Sequence, residues 1–141
     1  MPAEPLRVLI NACALTANAA GIRAYAYELA AALARRDDCD VLFAAPEPAP
    51  PGVKRLNPPV TIFGARPRLR AATLQAWTQS VLPFRMHQSN ADVYHGTEFT
   101  VPVFSRAPRV GMVHDLAFLT TPRLFHGIGT KVYFRAMVET A

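Results

Sequence analysis

The chain has 141 residues, enough for one compact domain with a core of useful size but too few for two full domains. Hydrophobic residues make up 51% of it and charged residues 18%, a composition that excludes an intrinsically disordered chain. Lys and Arg number 15 against 10 Asp and Glu, so the net charge is +5 and suits an anionic partner such as a phosphate or an acidic membrane surface.

The two cysteines, Cys13 and Cys39, are isolated from each other and from the histidines. We therefore expect no bound metal, no disulfide framework and a reducing, cytoplasmic location. The first residues do not follow the pattern of a signal peptide, and no run approaches the roughly 18 to 20 apolar residues that a membrane span needs. The sequence thus predicts neither secretion nor a membrane span.

The first third of the chain alternates between strand and helix patterns. Residues 6–10 form an apolar run typical of a strand buried on both faces. Apolar residues at helical spacing then predict a helix from residue 21 to residue 36, after a loop of small and polar residues. A second strand is predicted at 41–45, and the proline-rich residues 46–52 predict a loop.

The remaining residues continue this alternation. The predicted elements are a strand at 60–63, a helix over 69–84 that Pro83 should end or kink, strands at 92–95 and 109–113, and a helix over 130–141. Strands that alternate with helices predict an α/β fold, a Rossmann-like and mostly parallel sheet with flanking helices. Because the last predicted helix has no cap, we expect residues 1–141 to be part of a longer protein.

The candidate site residues follow the predicted strands directly, because ligands of parallel sheets collect beyond the carboxyl ends of the strands. Three segments qualify, and we expect positions 21, 95 and 114 to converge on one pocket. The candidates are Gly21, Ile22, Arg23 and Tyr25 after the first strand, His95, Gly96 and Glu98 after the strand at 92–95, and His114 and Asp115 after the strand at 109–113.

Several common sites are disfavoured by the motifs. Neither the segment around Gly21 nor residues 127–131 match the dinucleotide fingerprint or the P-loop, and no serine elbow or cysteine with a nearby base indicates a hydrolase. Structural readings also stay open, because a glycine can simply begin a helix and a single histidine often serves only as a hydrogen-bond donor.

The segment from 66 to 85 combines arginines with apolar and aromatic residues. Arg66, Arg68, Arg70 and Trp77 could together contact an anionic membrane surface on its cytoplasmic side, whereas core packing of the apolar side is the alternative. No nucleic-acid reading motif accompanies these arginines, so we expect no nucleic-acid partner.

The order of the motifs resembles the N-terminal, acceptor-side domain of GT-B glycosyltransferases of family 4. The segments that carry the resemblance are RVLINACAL, GIRAY with ELAAALARR, ADVYHGTEFTVPV and PRVGMVHDLAFLTTPRLF. They occur in the family's order over nearly the whole chain. The sequence departs from the family's GIGRY pattern, since Arg23 stands at the second glycine and Ala24 at the arginine.

The resemblance implies transfer of a sugar, with retention, from a nucleotide-sugar donor to a saccharide or lipid-linked acceptor in polysaccharide or glycolipid synthesis, without a further cofactor. It places His114 against the transferred sugar, Asp115 at the loop or an acceptor hydroxyl, and Gly21 and Ile22 near donor phosphate or acceptor. Donor binding belongs mainly to a second, C-terminal domain, so the segment alone is expected to be nearly inactive. The alternative is a non-catalytic α/β ligand-binding module.

Overall fold

A computed structural model of the chain describes residues 4–13, 20–58, 73–98, 101–114 and 117–121. Its strands are β1 (Leu6–Asn11), β2 (Cys39–Ala44), β3 (Lys54–Leu56), β4 (Val93–Gly96) and β5 (Arg109–Gly111). They form one five-stranded sheet in the order β3-β2-β1-β4-β5, and each neighbouring pair is parallel. The predicted α/β class with a Rossmann-like parallel sheet is therefore confirmed.

The helices of the described residues include α1 (Ala20–Leu33), α2 (Leu82–Gln88) and the short α3 (Ala117–Thr120). Residues 73–76 are also α-helical, and a π-helical turn, Trp77–Val81, joins them to α2. None of the helices in these residues has the length and apolar character needed to cross a bilayer. Of the two outcomes predicted for Pro83, an end of the helix is wrong, because the helix continues past Pro83 to Gln88. The regular α-helical pattern is interrupted by the π turn Trp77–Val81, which ends two residues before Pro83.

The strands predicted at 6–10, 41–45, 92–95 and 109–113 are present as β1, β2, β4 and β5, with bounds that differ by one or two residues. The loop predicted at 46–52 is confirmed. Strand β3 was not predicted, because its three residues include two cations and lie at the edge of the sheet. The strand predicted at 60–63 and the helix predicted over 130–141 lie outside the described residues.

Each face of the sheet carries its own core, because successive residues of a strand point to opposite sides. The first core lies under α1 and contains Val8, Ile10, Ala12, Ala26, Ala30, Val41, Phe43 and Ala45. The second lies under the π turn and α2 and contains Leu9, Cys13, Ala44, Trp77, Leu82, Met86, Tyr94 and Val101. The continuous apolar run of β1 thus reflects a strand covered on both faces.

The strand order reverses between β1 and β4. The chain proceeds from β1 outward through β2 to β3, then returns to the other side of β1 to form β4 and β5. In open parallel sheets this reversal opens a crevice beyond the carboxyl ends of the two central strands, and ligands bind there. At this point Thr97 follows β4, and both its N–H and its hydroxyl donate to the Asn11 carbonyl, at 3.3 and 2.9 Å.

Candidate functional site

Three aromatic rings meet at the carboxyl edge of the sheet, beside the reversal point. The Tyr25 hydroxyl lies 3.0 Å from Nε2 of His95, and the centroids of the two rings are 6.0 Å apart. The rings of Tyr25 and His114 are nearly perpendicular at 87°, with centroids 5.8 Å apart. We call Tyr25, His95 and His114 the ring cluster. It brings together side chains from all three segments that the sequence singled out.

Tyr25 reaches this edge because of how α1 packs on the sheet. Ala26 and Ala30 are fully buried against it, and their small side chains let the helix approach the strands closely. Ile22 and Leu29 are half-buried beside them in the same core. Tyr25 precedes Ala26, so it lies on the flank of the helix rather than beneath it, and its hydroxyl reaches β4.

His95 projects toward the ring cluster from the second-last position of β4. Its neighbour Tyr94 is fully buried in the opposite core, so the alternation of the strand places His95 on the α1 side. Burial lowers the pKa of His95 and raises the pKa of the Tyr25 phenol. Both shifts favour the uncharged forms, so the hydrogen bond between them joins two neutral groups at neutral pH.

His114 follows β5, and its hydrogen-bond partner determines which ring nitrogen carries a proton. Its Nε2 lies 2.6 Å from the carbonyl oxygen of Thr97. A carbonyl oxygen can only accept, so Nε2 carries the proton and donates it. When the ring is neutral, the other nitrogen, Nδ1, is then an acceptor. The position of the ring is well defined, because Thr97 is itself hydrogen-bonded twice to β1.

The candidates at the beginning of α1 have other surroundings. Gly21 is exposed, and a Cβ added there would meet no atom within 4 Å, so the packing of the described chain does not require a glycine for close approach. Ile22 belongs to the core under α1. Arg23 is exposed and pairs with Glu47 at 3.0 Å, in the loop that follows β2. Of this segment, Tyr25 is the residue that joins the ring cluster.

The remaining predicted residues are not members of the ring cluster. Gly96 is buried at the end of β4, where its carbonyl accepts from the Met112 N–H at 3.1 Å, and Glu98 is half-buried just beyond it. Asp115 lies outside the described residues, as do Arg66, Arg68 and Arg70. Trp77 is only 2% exposed and packs in the core under α2, so for this residue the core-packing alternative is observed and a membrane contact is not available.

Sequence reasoning missed two buried polar residues that hold the site, Asn11 and Thr97. The Asn11 side chain accepts from the Cys13 N–H at 3.2 Å and donates to the Tyr94 hydroxyl at 3.0 Å. A buried amide costs stability unless it is bonded in this way. The sequence feature that could have identified Asn11 is its position as a polar residue at the end of an otherwise apolar strand.

Replacing Gly21 by alanine is expected to raise the stability of the chain. Alanine is favoured over glycine in helices by up to about 1 kcal/mol, and Gly21 lies in the first turn of α1 with open space around it. We expect the melting temperature to rise by roughly 1 to 3 °C. A fall in melting temperature would contradict the open surroundings of Gly21.

His95 should make the stability of the chain depend on pH. Because its pKa is lowered in the folded chain, the unfolded chain takes up the proton first as the pH falls below the ordinary value of 6.5. The unfolded state then binds more protons, so the free energy of unfolding decreases from about pH 6.5 down to the lowered pKa of the folded state. The ring is only half-buried and is partly screened by solvent, so we expect an effect below about 1 kcal/mol.

The effect is measured by thermal unfolding between pH 7.5 and 5. The variant His95→Gln should show a smaller loss of stability over this range than the unaltered chain. His87, exposed on α2, provides the control, and His87→Gln should retain the full pH dependence. Equal pH dependence in the His95→Gln and unaltered chains would contradict the prediction.

The ring cluster presents hydrogen-bonding groups on aromatic rings at a crevice. Such groups suit hydroxyl-bearing ligands, because imidazole nitrogens and a phenol both donate to and accept from hydroxyls. Among the described residues, no group of three or more His, Cys, Asp or Glu side chains is placed to hold a metal ion. In comparisons with known proteins, no family model, curated protein or solved structure matches the chain.

Proposed function

We propose that the chain is the acceptor-side domain of a retaining glycosyltransferase, which moves a sugar from a nucleotide-sugar donor to a saccharide or lipid-linked acceptor in the cytoplasm. The observation that carries this proposal is the ring cluster at the reversal point of a Rossmann-like sheet. A crevice there is the usual ligand position of such sheets, and the cluster offers it donors and acceptors suited to sugar hydroxyls. The resemblance of the ordered segments to family 4 supplies the type of reaction.

Each member of the ring cluster has a role in this proposal. Nδ1 of His114 accepts a hydrogen bond from a hydroxyl of the transferred sugar, while the bond from Nε2 to Thr97 fixes the direction of the ring. Tyr25 packs against His114 at a right angle and so limits its rotation. His95 holds the Tyr25 hydroxyl and thereby orients the tyrosine. His114 is thus the sugar-contacting residue, and the other two are positioning residues.

A second candidate function is a non-catalytic ligand-binding module, and a specific observation favours it. The Nε2 of His114 and the hydroxyl of Tyr25 already have partners within the chain, at 2.6 and 3.0 Å. In this reading the two histidines tie the ends of β4 and β5 to neighbouring segments. The two candidates differ in what Nδ1 of His114 does.

The proposal is tested by following the histidine ring signals in NMR spectra during titration. The probes are UDP-glucose, GDP-mannose and the corresponding free sugars, at concentrations up to the millimolar range. We expect at least one probe to shift the signals of His95 and His114 in a saturable way. The signal of His87, on α2, should stay in place. If no probe moves the two rings, or if His87 moves equally, the proposed sugar site is contradicted.

A further inference from the structure

A second surface of the chain exposes apolar side chains next to cations. Phe104 is 81% exposed and Phe84 is 59% exposed, although both are large aromatic residues. Arg85 and Arg106 are exposed beside them in the sequence. We call these four residues, together with the exposed Val81 and Val103, the apolar-cationic patch.

A groove of about 520 Å³ borders this patch, and Phe104 and Arg106 of the patch line it. It runs between α2 and the turn that precedes β5, and its lining residues include Pro83, Met86 and His87 on one side and Phe104, Arg106 and Ala107 on the other. Phe84 lies three residues before His87 in α2, so the two share one side of the helix. Phe104 therefore lines the groove on one side, and Phe84 is exposed on α2 next to Pro83, which lines the other side.

The patch lies at the opposite end of the strands from the ring cluster. Ala91 and Ala107 also line the groove, and they come just before β4 and β5 begin. The residues of the ring cluster lie at or beyond the carboxyl ends of the same two strands. An occupant of the patch would therefore leave the proposed sugar site open.

The exposure of Phe104 is maintained by hydrogen bonds within the chain. The Gln79 side chain donates to the Val101 carbonyl and accepts from the Val103 N–H, both at 2.9 Å. The Arg109 guanidinium donates to the carbonyls of Pro102 and Val103, at 2.9 and 2.8 Å. The turn is thus braced from both sides, and Phe104 is presented to solvent by a fixed backbone.

Within the two segments that carry the patch, every Asp, Glu, Lys or Arg residue is an arginine, although the exposed Asp92 follows Ala91 of the groove directly. Residues 73–91 and 101–114 contain no Asp or Glu. Among the described residues, neither Arg85 nor Arg106 has an ion-pair partner. Two copies of this surface would bring the same cations together, which opposes self-association through it. An anionic occupant with an apolar interior satisfies both the cations and the aromatic residues.

We propose that the apolar-cationic patch docks the chain on an anionic lipid bilayer. The side chains of Phe84 and Phe104 enter the boundary between headgroups and acyl chains, where buried apolar area provides affinity. Arg85 and Arg106 remain at the level of the headgroups and pair with their phosphates. The braced turn keeps Phe104 ready for insertion, so little ordering is needed on binding.

The proposal is tested by sedimentation of the chain with lipid vesicles. Vesicles of phosphatidylglycerol mixed with phosphatidylcholine should bind the chain, and vesicles of phosphatidylcholine alone should bind it much less. The double variant F84S/F104S should reduce binding at least about tenfold, and R85Q/R106Q should reduce it roughly 25-fold on the anionic vesicles, about fivefold for each cation. Both variants alter exposed residues, so they should retain the melting temperature of the unaltered chain.

Matched controls distinguish docking by this patch from general attraction of a basic chain. R35Q/R36Q removes two exposed cations at the end of α1, and Y27S removes an exposed aromatic ring of α1. Both should bind nearly as well as the unaltered chain. The proposal is overturned if the chain does not bind anionic vesicles, or if R35Q/R36Q weakens binding as much as R85Q/R106Q. It is also overturned if F84S/F104S binds normally, or if that variant abolishes a dimer seen without lipid.

Discussion

If the chain is the acceptor-side domain proposed above, replacing His114 by alanine is expected to lower sugar transfer by the enzyme that contains it about a hundredfold. In the proposed site, Nδ1 of His114 accepts a hydrogen bond from a hydroxyl of the sugar while the bond to the nucleotide breaks and the bond to the acceptor forms. Loss of one well-placed hydrogen-bonding group in a transition state costs on the order of 10² to 10³ in rate. The measurement is release of nucleoside diphosphate from a nucleotide-sugar donor in the presence of acceptor. His87→Ala, on the exposed side of α2, should leave the rate unchanged.

The same alanine variant also removes the bond to Thr97, so a second variant is needed to separate structure from chemistry. In His114→Gln, the side-chain amide can still donate to the Thr97 carbonyl, as Nε2 does at 2.6 Å in the unaltered chain. It has no acceptor at the place of Nδ1. We expect His114→Gln to recover most of the stability that His114→Ala loses, about 1 kcal/mol.

Within a sugar-transferring protein, the glutamine variant separates a sugar-contacting role of His114 from a purely structural one. If His114 contacts sugar, His114→Gln should melt like the unaltered chain but transfer sugar as poorly as His114→Ala. If His114 only ties β5 to the segment after β4, the glutamine variant should restore activity along with stability. Full activity in both variants would remove His114 from the site altogether.

The position of the site could be predicted from the sequence because it depends on the direction of the strands. Apolar runs identify β1, β4 and β5, and polar residues directly after parallel strands must gather at one edge. That argument required no knowledge of which strands are neighbours. It brought His95 and His114 into the set of candidates, and the structure places both rings beside Tyr25.

The identity of the α1 residue at that edge could not be predicted with the same precision. Helical periodicity shows that α1 has an apolar side but leaves its rotation relative to the strands open by tens of degrees. The rotation is set by Ala26 and Ala30, whose small side chains let the backbone come closest to the sheet. This packing places Tyr25 at the carboxyl edge and directs Arg23 toward Glu47.

Trp77 shows a similar limit of sequence patterns. Arginines and an aromatic residue in one segment left a membrane contact and core packing both open, because the pattern cannot say which side of a helix meets the sheet. The π turn from Trp77 to Val81 shifts the helical phase by one residue, so a regular helical projection fails there. In the structure Trp77 faces the core, while Val81 and Phe84 are exposed.

Replacing Trp77 by alanine should therefore have the largest effect on stability of the substitutions considered, about 3 to 5 kcal/mol. The indole fills the core under α2 together with Leu9, Cys13 and Met86. Domains of this size have free energies of unfolding of roughly 5 to 15 kcal/mol, so the loss would leave the chain marginally stable. The measurement is unfolding in urea, followed by circular dichroism because the variant lacks the single tryptophan of the chain.

Two further variants decide whether this loss comes from the core. Phe84→Ala removes an exposed aromatic residue seven positions along the chain, and it should cost less than about 1 kcal/mol. Trp77→Phe keeps most of the apolar contact in the core under α2. It leaves a much smaller unfilled volume than alanine does, so Trp77→Phe should be far milder than Trp77→Ala. If Trp77→Ala costs no more than Phe84→Ala, the placement of Trp77 between α2 and the sheet is contradicted.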